Sequence, residues 1–367
     1  DLFYGLVLLA IFSLAYSLSG GLKAVAMTDG VQVILLIFGG LAVSFIALNI
    51  ISESNGVMEG MRIVMNEMPE KFDMVLSSDN SSYKDLPGIW ILLGLGVWIG
   101  HFFYWGFNQY ITQRALAAKD IKEAQKGVMF AAYLKLLMPI VIVLPGICAA
   151  ILFPMLEKSD QAYPTMMSLL PNGLLGLTFA ALIAAIVSSL ASMSNSISTI
   201  FTMDIYKYFK NDNVTQFKLI QVGRITVIVS VLIATLVAQP LLGSFESIFQ
   251  YIQNFTGYFS PGIVVIFLVA LFWKKATSLS VLVAALISLI ASILLSINFP
   301  ELPFIHRMTL VFVLSAIGCI ATTHLQGYKD QKKAIDLSTV NFSTSKAFNL
   351  NTVVIVYVLV CIYVAFA

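Results

Sequence analysis

Ten apolar stretches recur along this chain, each long enough or nearly long enough to cross a bilayer, and that recurrence limits the available folds more than any other feature. They lie near 2–18, 24–50, 88–113, 127–153, 173–203, 217–239, 245–272, 277–298, 307–325 and 350–367. A helix rising about 1.5 Å per residue needs about 20 residues to span about 30 Å of hydrocarbon. The stretch at 2–18 is the shortest. Of the 367 residues, 59% are hydrophobic and 11% charged, against about 25% charged in a soluble domain. A mean hydropathy of +0.91 exceeds what one globular core can hide, so the bilayer is the solvent. The expected fold class is an all-α polytopic membrane protein, with 1–367 forming a single transmembrane domain.

The loops carry the orientation, because cytoplasmic loops are enriched in Lys and Arg. Loops 19–23, 114–126, 204–218, 273–276 and 326–349 hold 14 of the 21 basic residues. The alternate set holds five: Arg62, Lys71, Lys84, Lys158 and Arg307. Lys135 and Arg224 fall inside apolar stretches. The first set is therefore cytoplasmic, and strict alternation supports the helix count. The expected location is the plasma (cytoplasmic) membrane, crossed many times. The external loop 51–87 is acidic and has an apolar rhythm through Met58, Met61, Val64, Met65 and Met68. It reads as partly helical surface structure or as a solvated connector. The polar stretch 326–349 reads as a linker before the last helix.

Other classes find little support. A net charge of +2 gives nucleic acid no basic surface. Cys148, Cys319 and Cys361 lie far apart in apolar runs, with neither disulfide nor metal spacing. No phosphate-binding glycine loop, H-E-x-x-H or dinucleotide fingerprint occurs. Residue 1 is Asp, and no secretory signal opens the chain, so the expectation is an internal segment of a longer protein.

Polar groups kept in hydrocarbon are costly and point to function. The third stretch is interrupted by Gly94, Gly96, Gly100 and Gly106, and broken helices at membrane depth recur where backbone lines a site. His101, Tyr104, Trp105 and Asn108 follow i, i+3, i+4, i+7 spacing and are expected on one helical face. An aromatic plate beside hydrogen-bonding groups suits a sugar-like ligand; packing aromatics with a satisfied histidine are the plainer alternative. Lys135 either snorkels to the cytoplasm or points into a polar cavity. Ala185, Ser188, Ser189 and Ser192 share a face of the fifth stretch. Their oxygens suit a hard monovalent cation, and their small size equally suits close helix packing. Asp29 is either a solvated interfacial charge or an inward-facing one that attracts a cation. In the seventh stretch, Gln250, Gln253, Asn254 and Thr256 precede Gly257, Pro261 and Gly262. A break and hinge are expected there, with Gln253 either bonding solute or belonging to a polar helix start.

The runs GLKAVAMTDGVQ, FYWGFNQYITQRALAAKD, AALIAAIVSSLASMSNSIST and FQYIQNFTGYFSPG, in this order, resemble the sodium/solute symporter family. The sugar branch, the sodium/glucose cotransporters, is the part of it they look most like. The resemblance implies a leucine-transporter-type fold of inverted five-helix repeats. It implies that the leading helix and first three core helices are missing, that 88–272 is the complete second repeat, and that 277–367 is peripheral. It also implies sodium-coupled symport of a small polar solute such as glucose or galactose, not enzymatic catalysis. Solute contacts map to His101, Tyr104, Trp105, Lys135 and Gln253, where His101 departs from the Asn or Thr usual in sugar transporters. Sodium maps to the Ala185 carbonyl, Ser188 and Ser189, and Asp29 to its exit path. An inositol or organic-anion symporter and a membrane solute sensor remain the alternatives; an intramembrane enzyme using His101 or His306 lacks a convincing partner residue.

Overall fold

The computed structural model describes residues 2–84, 86–210, 214–242, 248–332 and 334–366. Asp85, Lys333 and positions 243–247 lie outside the described residues, as do the side chains of Lys23 and Lys84. Helices account for nearly all of the rest. In chain order they are α1 (Leu2–Ile51), α2 (Val57–Glu67), α3 (Trp90–Leu93), α4 (Leu95–His101), α5 (Gln109–Leu116), α6 (Ile121–Leu136), α7 (Leu144–Leu152) and α8 (Ala162–Met167). Then come α9 (Asn172–Thr199), α10 (Lys207–Phe209), α11 (Gln216–Leu242), α12 (Ile248–Phe272), α13 (Ser278–Asn298), α14 (Phe304–Leu325) and α15 (Lys346–Ala365). Among the described residues, eight helical spans are long and apolar enough to cross a membrane. The other two expected stretches are the short Phe3–Leu18 and the interrupted run through α3, α4 and α5.

Three expectations change. The loop expected at 19–23 is helical backbone within α1. A straight helix would hold residues 16 and 28 about 18 Å apart, yet their side chains hydrogen-bond, Tyr16 hydroxyl to Thr28 hydroxyl, so α1 bends between them. The break expected around Pro261 is absent: α12 runs unbroken from Ile248 to Phe272 with Pro261 inside it. Proline there removes one backbone bond, but Ser260, Pro261 and Gly262 are all buried and packing holds the helix together. Thirdly, the common face expected for His101, Tyr104, Trp105 and Asn108 does not form. A π-helical turn over Phe102–Phe107 changes the angular step, and Asn108 is extended (φ −88°, ψ 115°). In the external loop, α2 carries Met58, Met61, Val64 and Met65, of which Val64 is buried and Met58 and Met65 are exposed.

The chain divides into two compact units. The first comprises 1–71 and 131–248. Its centre is α1 laid along α9, where small residues allow close approach. A Cβ on Gly39 would sit 2.5 Å from Thr178, and one on Gly40 would sit 2.3 Å from Val141. Val43 and Ala47 are fully buried beside them. The second unit comprises 72–130 and 249–367. There α13 presents Ser280, Ala284, Ser288 and Ser292 at four-residue intervals, and α14 presents Ser315, Cys319 and Thr323; all are buried. Small residues repeating every turn let two membrane helices pack backbone to backbone. Ile99 of α4, Val264 of α12 and Met308 of α14 form a second buried cluster in this unit.

Candidate functional site

In the first unit, the cation-site residues lie on α9 where it packs against α1. Ser188 is 2% exposed and Ser192 fully buried, so the face bearing both is turned inward. Ser189, one residue and about 100° further round, is exposed, and Ala185 is half-buried. The two adjacent hydroxyls are therefore not equivalent.

Asp29 of α1 meets this face directly: the Ser188 hydroxyl donates to its carboxylate. Asp29 itself is half-buried. The chemistry is specific. A serine that gives its proton to a carboxylate keeps its oxygen lone pairs for a cation, and the carboxylate adds a compensating negative charge. One helical stretch further along, Ser17 of α1 donates to Asn195 of α9 at 3.0 Å. Neither Ser17 nor Asn195 stood out in the sequence, although Asn195 continues the spacing of Ser188 and Ser192. Among the described residues, no group of three or more His, Cys, Asp or Glu side chains could hold a metal ion. The oxygen set here is of the kind a hard monovalent ion uses.

Lys135 also belongs to the first unit. It lies in the last turn of α6, before a π-helical turn over Pro139–Val143, and is exposed.

In the second unit the aromatic residues sit on the irregular stretch between α4 and α5. Gly94 is extended (φ −76°, ψ 151°) and separates α3 from α4. Gly100 and Gly106 do not break the helix, so the second break falls at Asn108 instead. The π turn presents Tyr104 and Trp105 edge to face, ring centroids 5.0 Å apart. Wide helical turns of this kind are frequent at functional sites. Tyr104 is 38% and Trp105 46% exposed. The Tyr110 hydroxyl donates to the Tyr104 hydroxyl at 2.7 Å and fixes its direction. Tyr110 is a contributor that sequence reasoning missed, because the π turn and the extended Asn108 lie between positions 104 and 110 and regular helical spacing does not hold there. His101 packs edge-on against Trp98, centroids 6.4 Å apart. Phe107 stacks on Phe267 of α12 at 4.8 Å and anchors the turn. Gln253 is exposed, in the second turn of α12.

Known proteins of similar sequence or shape narrow the reading. The family model for the sodium:solute symporter family matches residues 1–288. A sodium/glucose cotransporter of Vibrio parahaemolyticus is 41% identical over 385 aligned residues, covering 100% of this chain and 70% of the relative. The human sodium/myo-inositol cotransporter 2 is 34% identical over 318 residues, covering 75% of this chain and 44% of the relative. This chain thus spans less than half of the inositol transporters it matches. A solved structure of a Na⁺-coupled sialic acid symporter, substrate-bound and outward-open, superposes with a TM-score of 0.73 at 23% identity. It covers 89% of this chain and 67% of that one. That likeness concerns the fold, which is the leucine-transporter-type arrangement of inverted helical repeats.

Proposed function

We propose a function from one premise: this chain belongs to the sodium:solute symporter family. It forms the helical body of a secondary transporter that moves a small polar solute across the plasma membrane together with sodium, by alternating access. Its work is transport, not catalysis. The solute is a sugar such as glucose or galactose, a reading supported by the 41% identity to a sodium/glucose cotransporter.

The observation that carries the reading most directly is the Ser188–Asp29 hydrogen bond between α9 and α1. Buried hydroxyls facing a carboxylate inside membrane-spanning helices are expensive unless a cation uses them. In this proposal sodium, as co-transported substrate, is held by the Ala185 carbonyl and the Ser188 and Ser189 hydroxyls. Asp29 orients Ser188 and attracts the ion as it leaves toward the cytoplasm. The solute is contacted by His101, Tyr104, Trp105, Lys135 and Gln253. Edge-to-face aromatics cover the apolar faces of a sugar ring, while Lys135, Gln253 and the Tyr104 hydroxyl bond its hydroxyls.

Coupling is thermodynamic. Sodium must favour solute binding by the same factor that solute favours sodium binding. One sodium moving down 100 mV contributes about 2.3 kcal/mol before its concentration gradient is counted.

A second reading has its own support. The 34% identity to the human sodium/myo-inositol cotransporter 2 supports a cyclic polyol as solute. The test is uptake of labelled glucose, galactose and myo-inositol by the full-length protein in proteoliposomes, under an inward sodium gradient and under potassium. Sodium-dependent uptake of a hexose is expected. Uptake of inositol alone moves the assignment to the polyol, and no sodium-dependent uptake of any solute in a wider screen contradicts symport.

A further inference from the structure

The second unit has a feature that solute transport does not use. Between the C-terminal ends of α12 and α14 runs an open groove of about 520 Å³. Leu268 and Ile320 belong to its apolar walls, and Trp273, His324 and Tyr328 stand at one end. This end is built with care. Two successive residues, Gly327 (φ 92°) and Tyr328 (φ 52°), adopt left-handed backbone, a strained conformation for a tyrosine. The turn lays the Tyr328 ring flat on His324, centroids 4.2 Å apart and planes 9° apart. Lys275 Nζ lies 3.9 Å from the centre of the Tyr328 ring. The two loops meeting here are laced together: the Gln331 N–H donates to the Lys274 carbonyl at 2.9 Å, and Lys274 pairs with Asp336 at 3.2 Å.

The alternation of basic loops puts this end on the cytoplasmic side. Trp and Tyr at the end of membrane helices mark the headgroup level. Positive charge is in excess: the sequence of the same two loops, 273–276 and 326–349, holds six lysines against Asp330 and Asp336, and Lys275 reaches Asp330 only at 4.0 Å.

We propose that the groove holds one anionic phospholipid of the cytoplasmic leaflet, with an acyl chain between α12 and α14 and its phosphate at Lys275. The walls are continuous with membrane-spanning helices, so the occupant enters from the bilayer. An acyl chain matches the apolar walls, and basic pockets beside transmembrane helices select anionic headgroups. The proposal rests on the bilayer reading and not on the identity of the solute or on sodium.

The test uses the full-length protein in phosphatidylcholine nanodiscs containing a low mole fraction of brominated phosphatidylglycerol or, in parallel, brominated phosphatidylcholine. Bromine quenches tryptophan on contact, and the difference between the protein and its Trp273→Phe variant isolates the Trp273 signal. Quenching by the glycerol lipid should be about fivefold more effective than by the choline lipid, the preference one basic residue gives at a membrane surface. Lys275→Gln should bring the two close to equal without shifting the unquenched emission, which reports that the fold is kept. Tyr328→Asn retains a residue that accepts left-handed backbone and should also lower the preference. Equal quenching by both lipids in the unsubstituted protein would mean ordinary boundary lipid. Quenching by neither would mean that protein covers the groove. Each result overturns the proposal, and neither touches the uptake experiment.

Discussion

Ser188 and Ser189 are neighbours in sequence but face different surroundings. Ser188 gives its hydroxyl proton to Asp29, while Ser189 stays exposed on α9. If both are sodium ligands, Ser189→Ala should weaken sodium activation of uptake by about tenfold, the scale of one hydrogen-bond-strength interaction with a charge. The fold should be unaffected, because the hydroxyl is not used in packing; a sodium titration of uptake reads the shift. The same scale separates Tyr104 from Tyr110. Removing only the donor with Tyr110→Phe leaves both rings and should raise the solute concentration for half-maximal uptake about fivefold, by loosening the Tyr104 hydroxyl. An unchanged value would show that Tyr104 needs no positioning. Some of this was legible in the sequence. The hydroxyl pair and Asp29 stood out as polar residues in hydrocarbon, but which way Asp29 faced depended on α1 packing against α9. Tyr110 carried no signal, since α-helical spacing keeps positions 104 and 110 apart and the break at Asn108 that brings them together is not visible in the spacing.

Glycine marks different things in different helices. Gly96 of α4 is where α14 comes closest, and a Cβ there would meet the Ile305 carbonyl oxygen at 2.2 Å. Gly96→Val should destabilise the second unit by about 1–3 kcal/mol through overpacking, lowering the thermal midpoint in detergent by several degrees. Gly146 of α7 has nothing within 4 Å of a built Cβ. Gly146→Ala should therefore be neutral or stabilising, by up to about 1 kcal/mol of helix propensity. If the two variants behaved alike, the packing account of α4 would be wrong. The interruption of the third stretch was readable from its glycines, but its position was not. Gly94 breaks the helix, Gly100 and Gly106 do not, and Asn108 does. Pro261 misled in the other direction, since α12 continues as helix through the buried Ser260, Pro261 and Gly262 where composition suggests a break.

At the scale of the molecule, hydropathy and loop charge carried far because the bilayer imposes them residue by residue: the expected stretches are largely helical where described, the third with breaks at Gly94 and Asn108. The division into two units, 1–71 with 131–248 and 72–130 with 249–367, was not readable, because it depends on helix contacts between segments distant in sequence. Family membership then supplies what single residues do not, a reason for cation oxygens on α9 and an aromatic turn after α4 to belong to one machine. The most direct test is reciprocal linkage. In the full-length protein, the sodium dissociation constant would be measured with and without saturating galactose, and the galactose constant with and without saturating sodium. Symport predicts that both tighten by one common factor, and that Ser189→Ala weakens sodium binding in each condition. Galactose binding indifferent to sodium, or sodium binding unchanged in Ser189→Ala, would contradict the account.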